Sequence, residues 1–377
     1  MTDMNDAERR AWAYLAAVAE PPSASVIALV SAIGAVAAAA AVRDRKAPAG
    51  HLAALAATEA RHATDTSVAD LDTADRVGAR LVTPGDDEWP GWSLSVLDRA
   101  STAARGGGPL ALWVRGPGAL SSLGDAAVAL VGSRAASSYG EYVAGHFASG
   151  LAAHGRAVVS GGAYGIDGAA HRGSLAAGGL TVAVLACGID RDYPTGHARL
   201  LHEIAARGLV VSEYAPGTTA AKHRFLTRNR LVAALSGATV VVEAGRRSGA
   251  ANTAAWATRL GRPLGAVPGA VTSATSVGTH AMIADGQATL VADVDRVASL
   301  VVPDGEDTRG PAPIRDTDGL PPDQFRVIEA LPARESLSID EISFSAGIPV
   351  DAVRRALAAL DVAGLVDEES GLWRLRR

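Results

Sequence analysis

The sequence predicts an α/β protein built on a doubly wound parallel sheet, with a smaller helical domain on either side. Six short runs of apolar and β-branched residues recur between residues 126 and 268, and helical patterns separate them. Runs that are apolar throughout are typical of parallel strands covered by helices on both faces. The length of 377 residues also suggests two or three domains.

Residues 1–80 predict a small helical domain. Helical patterns cover 11–18, 25–40 and 51–63, and the breaks between them include Pro21-Pro22. Residues 21–42 contain no charged side chain, and a membrane span is conceivable at that length. Because the run is mostly alanine, we predict a pair of Ala-rich helices in a small soluble domain instead.

Residues 81–302 predict the sheet domain. A mixed stretch leads into the sheet through an extended piece at 110–115. Helices are expected at 140–154 and 197–207, among others. The six strands are predicted at 127–131, 157–160, 181–185, 209–212, 238–243 and 264–267.

The chain changes character after the sheet domain. Residues 303–319 are rich in Pro, Gly and charge and predict a linker. Residues 320–377 then predict a winged helix-turn-helix, with helices at 322–331, 338–346 and 350–363 and a hairpin that turns at Ser370-Gly371. This last domain has 7 arginines and 10 acidic residues. We therefore expect it to contact protein or to regulate rather than to bind duplex DNA strongly.

Three Gly-rich turns follow predicted strands, at the sheet edge where open parallel sheets bind ligands. Glycine lets the backbone approach a ligand closely, and helix N-termini present free N–H groups to phosphate. We therefore predict a phosphate-binding crevice. Neither GxGxxG nor GxxxxGK[ST] occurs, so nothing supports a dinucleotide enzyme or a P-loop NTPase. The candidate residues in these turns are Gly132, Ser133, Arg134, Ser160, Gly161, Gly162, Gly165, Ile166, Asp167, Ser248 and Gly249.

Positive charge is concentrated in residues 218–262. This segment holds eight basic residues and one acid, a net charge of +7, whereas the whole chain has a net charge of −5. Within it, Phe225, Arg228, Asn229 and Arg230 stand near the start of the helix that precedes strand 238–243. A solvated basic helix end would explain the pattern without function. Its position beside the crevice favours an anionic ligand, since guanidinium groups match phosphate geometry.

Other polar residues predict structural roles. Asp167 and His171 could share a helix face, but no third ligand stands at metal-site spacing, so we expect Asp167 to cap its helix and expect no metal or cofactor. Cys187 is the only cysteine, which excludes an intrachain disulfide and fits a reducing, cytoplasmic compartment. Its place after an apolar strand predicts a buried packing residue.

Seven ordered motifs resemble the DNA-processing protein A family (DprA/Smf). They are VGSR at 131–134, SGGAYGID at 160–167, VLACGIDRDYP at 184–194, SEY at 212–214, FxxRNR at 225–230, VVVEAGRRSG at 240–249 and VPG at 267–269. The flanks are similar too, since that family often has an N-terminal helical domain, SAM-like or helix-hairpin-helix, and a C-terminal winged helix. At position 226 the family usually has proline, where this chain has leucine.

The resemblance implies an extended Rossmann-like fold and a homodimer that binds single-stranded DNA without sequence preference. It further implies that the protein helps to load the recombinase RecA during natural transformation, with no catalysed reaction. Carried over by motif, Gly132, Ser133, Arg134, the turn at 161–167, Arg228, Asn229, Arg230, Ser248 and Gly249 would bind the DNA. Phe225, Tyr164 and Tyr193 are possible stacking residues. Two alternatives are a nucleotide phosphoribohydrolase-like enzyme, whose PGGxGTxxE motif is missing, and a winged-helix transcriptional regulator.

Overall fold

The computed structural model describes residues 6–100, 107–123, 126–246, 248–301, 319–332 and 335–376. The chain forms two compact units, Met1–Thr308 and Arg309–Arg377. The predicted linker lies outside the described residues except for Gly319, and Arg247 lies outside them as well. The boundaries at 80 and 302 stay a prediction.

A nine-stranded, mostly parallel sheet organises the first unit, as predicted. Its strand order is β1-β2-β6-β5-β4-β3-β7-β8-β9. Strands β1, β2 and β6 pair antiparallel, and every other neighbouring pair is parallel. The strands are β1 (Ala79–Val82), β2 (Leu112–Arg115), β3 (Val128–Gly132), β4 (Val158–Ser160), β5 (Thr181–Leu185), β6 (Leu209–Ser212), β7 (Ala238–Glu243), β8 (Leu264–Ala266) and β9 (Thr289–Leu290).

Helices cover both faces of this sheet because successive residues of its strands point to opposite sides. Val128 of β3 packs in one core with α7 and α8, whereas Ala129 packs in another with α10 and α11. The helices of the sheet region are α6 (Gly91–Arg99), α7 (Ser138–Ala153), α8 (Ile166–Ala176), α9 (Ala198–Arg207), α10 (Lys222–Ala234), α11 (Gly249–Arg259), α12 (Val277–Ala284) and α13 (Val294–Ser299).

The N-terminal helices share a core with the sheet. Tyr14 and Leu15 are fully buried in a cluster that also contains Ala183 and Leu185 of β5. The predicted pair of Ala-rich helices over 21–42 is confirmed, whereas the continuous helical pattern predicted at 25–40 is wrong, because Gly34, at φ 79°, divides it into two. The helices are α1 (Asp6–Val18), α2 (Ala24–Ile33), α3 (Ala35–Arg43), α4 (Leu52–Thr58) and α5 (Ser67–Arg76). No helix in the described parts of the chain is long and apolar enough to cross a membrane.

The second unit is a winged helix, as predicted. Its three helices enclose an apolar core that includes Val327, Ile342 and Val353. Its small antiparallel sheet has the order β10-β12-β11. The elements are α14 (Pro322–Ala330), β10 (Leu337–Ser338), α15 (Ile339–Ala346), α16 (Val350–Val362), β11 (Val366–Glu369) and β12 (Leu372–Leu375).

Helices α7 and α8 approach each other closely at two glycines, and this contact gives a test of the fold. A Cβ atom on Gly173 would lie 2.3 Å from the carbonyl oxygen of Gly145, whereas a Cβ on Gly145 would have only an ordinary contact of 3.8 Å. We expect Gly173→Ala to lower the free energy of unfolding by about 1–3 kcal/mol through overpacking. Gly145→Ala is the matched control and should leave stability unchanged or raised. Urea unfolding measures both, and equal midpoints for the two variants would contradict the described packing.

Candidate functional site

A cavity of about 680 Å³ opens where the carboxyl ends of β3, β4 and β7 meet. The chain leaves β3 toward β4 on one side, and β7 lies on the other side of β3. Such a change of direction creates a crevice at the strand ends of an open α/β sheet. The predicted location of the site is thus also the location of this cavity. Ten predicted residues line it, namely Gly132, Ser133, Arg134, Gly161, Asp167, Phe225, Arg228, Asn229, Ser248 and Gly249.

Cationic and aromatic side chains share the rim of this cavity. The guanidinium carbon of Arg134 lies 4.7 Å from the centroid of the Phe225 ring, and the Tyr193 ring lies 5.4 Å from Phe225 on centroids. Lys222, in the first turn of α10, is exposed at the same cavity. Among the described residues, neither Arg134 nor Lys222 has an ion-pair partner. Both charges are therefore available to an anion.

A smaller cavity of about 50 Å³ adjoins this rim. Tyr164, Tyr193, Pro194 and Phe225 contribute apolar surface to it, and Arg134 contributes charge. The Tyr164 hydroxyl accepts a hydrogen bond from the backbone N–H of Gly196 (3.2 Å), which fixes the ring. Flat apolar surfaces beside a cation suit a ligand that carries both rings and phosphate.

Arg228 forms part of the cavity floor, although its side chain is almost completely buried at 4% exposure. Its guanidinium donates to the carbonyl oxygens of Gly161 (2.7 Å) and Val184. The close approach requires glycine at 161, because a Cβ there would lie 2.7 Å from the guanidinium. Burial lowers the pKa of Arg228, and the charge of Asp167 opposes that shift. Arg228 therefore holds the ends of β4 and β5 together and places a positive charge beneath the cavity.

Asp167 does not cap its helix in the way the sequence predicts. The N-cap residue of α8 is Gly165, and the Asp167 carboxylate accepts from the backbone N–H groups of Gly161 (3.2 Å) and Ala163 (3.3 Å). It therefore orders the Gly-rich turn. Burial raises the pKa of Asp167, whereas the charge of Arg228 lowers it. His171 lies deeper, fully buried, and burial lowers its pKa to about 3, so it is neutral.

Arg230 is a buried structural residue in this geometry, unlike the sequence prediction that it contacts the ligand. Its side chain is 0% exposed and forms a two-pronged ion pair with the Glu213 carboxylate, at 2.8 and 2.6 Å. Its Nε atom donates to the carbonyl oxygen of Gly107 (3.1 Å). Arg230 thereby fixes α10 to the residue that follows β6.

Four more predicted residues lie behind the cavity wall. The buried Ser160 hydroxyl donates to the carbonyl oxygen of Leu130 (2.6 Å), and Ile166 packs in the core under α7 and α8. The Gly162 carbonyl bonds to His197, and Gly165 occupies the left-handed region at φ 71°. All four shape the turn rather than line its cavity. Cys187 is buried as predicted, and burial raises its pKa to about 11.

Lys222 lines the cavity, although the sequence singled it out only as one of the eight basic residues of 218–262. Lys222, Phe225 and Asn229 stand at positions i, i+3 and i+7 of α10 and share one face of the helix. This helical spacing in the sequence could have predicted that Lys222 lies beside Phe225 and Asn229. Thr253 and Val232 also line the cavity, and no motif marks them.

A cluster around Glu20 joins the N-terminal helices to α10. Its carboxylate accepts from Arg224 (2.8 and 3.0 Å), from Arg61 (2.6 Å) and from His223 (3.1 Å). Burial alone would raise the pKa of Glu20, but these hydrogen bonds lower it to about 2. The loop before α2 is therefore tied to the first turn of the helix that carries the cavity residues.

Fold and cavity together define an extended Rossmann-like protein with a cationic, aromatic-rimmed cavity at the carboxyl ends of its strands. The family model "DNA recombination-mediator protein A" matches residues 80–301, and the model "DprA winged helix domain" matches residues 311–371. The chain belongs to the DNA-processing protein A family, which confirms the resemblance drawn from the seven motifs.

Similar proteins cover most of the chain. A protein of Mycobacterium tuberculosis, strain CDC 1551 / Oshkosh, provisionally named DNA processing protein DprA, is 50% identical over 377 residues, which cover 99% of this chain and 96% of that protein. The X-ray structure of DNA processing protein A from Streptococcus pneumoniae matches with a TM-score of 0.62 at 29% identity, over 78% of this chain and 98% of that one. A structure of the Helicobacter pylori protein, which concerns its single-stranded DNA binding mode, matches with a TM-score of 0.51 at 28% identity, over 59% and 94%.

The buried pair of Arg230 and Glu213 gives a stability test. Arg230→Ala would leave the Glu213 charge buried and unpaired, and we expect it to lower the free energy of unfolding by about 3–5 kcal/mol. The double variant Arg230→Met with Glu213→Leu removes both charges and should recover most of that loss. Urea unfolding at pH 7 measures both. A single variant as stable as the wild type would show that the pair does not hold α10.

The Glu20 cluster gives a test in pH. Because the folded-state pKa of Glu20 lies near 2, below its ordinary value of 4.5, its stabilisation is fully present above about pH 5 and is lost as the pH falls toward 2. We expect Glu20→Gln to cost about 1–2 kcal/mol at pH 7, after allowance for solvent screening. Urea unfolding from pH 7 to pH 3 should show the two proteins converging in acid. A constant difference across that range would contradict this account.

Proposed function

We propose that the cavity binds single-stranded DNA without sequence preference, by its phosphates and by the faces of its bases. The observation that carries the proposal is the rim, where the unpaired cations Arg134 and Lys222 adjoin the aromatic pair Phe225 and Tyr193. Nonspecific single-strand binding proteins combine a basic groove with aromatic platforms because every nucleotide has a phosphate and a flat base. A single-stranded DNA binding mode in the Helicobacter pylori structure supports the proposal.

Phosphate recognition divides among the basic residues at the cavity by burial. Arg134 and Lys222 are exposed and make direct ion pairs, and the N-terminus of α11 at Gly249 adds its positive dipole end. Arg228 lies in the floor, where it contributes positive potential. Arg230 acts only through the position of α10. The net charge of −5 does not oppose binding, because the field at the cavity decides it.

We further propose that the protein protects incoming single strands and helps to load RecA during transformation and recombination, as a homodimer in the cytoplasm. The family assignment supports this role over the nucleotide-hydrolysing alternative and over a winged-helix transcriptional regulator. The proposal needs no catalysed reaction and no cofactor, since binding and hand-over are its only steps. RecA-dependent strand exchange with and without the protein tests this further role.

Direct binding tests the function. The affinity for oligo-dT should fall steeply with salt, and mixed sequences should bind about as well as oligo-dT. We expect Arg134→Ala to weaken binding about tenfold and to reduce the salt slope by about 0.7, because one phosphate contact is lost. Fluorescence anisotropy over a range of salt concentrations measures both quantities.

The matched control is Arg296→Ala, which removes an exposed arginine from α13, a helix that packs with α7 away from α10 and α11. It should bind like the wild type. Both variants should keep the wild-type unfolding midpoint, since neither side chain is buried. Salt-independent binding by the wild type, or unchanged binding by Arg134→Ala, would refute the proposed function.

A further inference from the structure

A second depression of about 410 Å³ lies directly beside the cavity. Leu226 forms part of the wall of both depressions. Asn252, which lines the second, accepts a hydrogen bond from the side chain of Asn229, which lines the first (3.2 Å). We call the second depression the α10–α11 groove. Its wall consists of Pro21, Pro22, His223, Leu226, Thr227, Asn252, Ala255, Trp256 and Arg259.

The chemistry of the groove is similar to that of the cavity rim. Arg259 is exposed, and its guanidinium carbon lies 5.1 Å from the centroid of the Trp256 ring. Among the described residues it has no ion-pair partner. Pro21 and Pro22 contribute apolar surface to the same groove. A free guanidinium between apolar walls fits a phosphate with its sugar and base.

The local charge favours an anion in this groove. Glu20 bonds to His223 on the groove wall, but its charge is offset by two arginines, Arg61 and Arg224. With Arg259 the surroundings of the groove remain positive.

We propose that the α10–α11 groove is a second nucleotide subsite, which binds the part of the same single strand that leaves the cavity across Leu226. Arg259 binds a backbone phosphate there, and the half-buried Pro21 and Pro22 contact sugars and bases. This inference rests on the proposed function of the cavity. It extends the binding surface to the N-terminal helices, because Pro21 and Pro22 belong to the loop before α2.

Oligonucleotides of two lengths separate the subsites. Oligo-dT of about four nucleotides should occupy the cavity alone, whereas about sixteen should reach the groove. For the longer strand we expect Arg259→Ala to weaken binding about threefold to tenfold and to lower the salt slope by about 0.7. For the shorter strand we expect no change. Ala255→Glu, on an exposed position of α11, should give the same pattern by placing a negative charge in the groove.

Two control variants match these changes in charge. Arg296→Ala on α13 and Ala153→Glu at the end of α7 alter exposed positions outside the groove and should leave the binding of both lengths unchanged. If the wild type binds both lengths but Arg259→Ala and Ala255→Glu match it on the longer one, the groove proposal is wrong and the cavity proposal stands. Equal weakening of both lengths would also overturn the groove as a separate subsite. A wild type that binds neither length would overturn both proposals.

Discussion

The buried ion pair between Arg230 and Glu213 is the interaction on which the geometry of the site depends. Both terminal nitrogens of the Arg230 guanidinium donate to the Glu213 carboxylate, and 0% of the arginine side chain is exposed. Removal of either partner would leave an unpaired charge in the interior, so the pair strongly favours the observed position of α10. Because a helix is rigid over a few turns, this one anchor also fixes Lys222, Phe225 and Asn229 at the cavity.

The two arginines of the α10 motif, Arg228 and Arg230, are buried and have positioning roles. The Arg228 guanidinium donates to two backbone carbonyls at the strand ends. The Arg230 guanidinium donates to the Glu213 carboxylate and to the Gly107 carbonyl. Glu213 neutralises Arg230, so of these two buried charges only that of Arg228 adds to the potential of the crevice, and Asp167 partly offsets it. The cations that can meet a phosphate directly are the exposed ones, Arg134 and Lys222. Arg228 therefore forms part of the cavity floor, Arg230 positions α10, and the proposed contacts with the ligand fall to exposed residues of the rim.

The sequence predicted the sheet well, because six strands that are apolar throughout leave few other structures possible. It also predicted where the cavity lies, since the carboxyl ends of parallel strands share one edge. It could not predict which arginines are buried. The composition around Arg230 is that of a solvated basic helix end, and only the fold brings Glu213 opposite it. Likewise, the sequence could not predict that Gly34 ends a helix, because this glycine lies in an Ala-rich run and only the structure shows its positive φ.

The contact of the N-terminal region with α10 could not be predicted from the sequence. The short apolar patterns of the N-terminal helices suggest little chemistry. In the structure the loop between α1 and α2 supplies Glu20, which binds Arg224 next to the cavity-lining face of α10. This contact joins residues 204 positions apart, so no local pattern could reveal it. Although Glu20 is an acid close to the cavity, its negative charge is smaller than the combined positive charge of Arg61 and Arg224, with which it pairs. A chain with a net charge of −5 can thus keep a positive surface where a polyanion would lie.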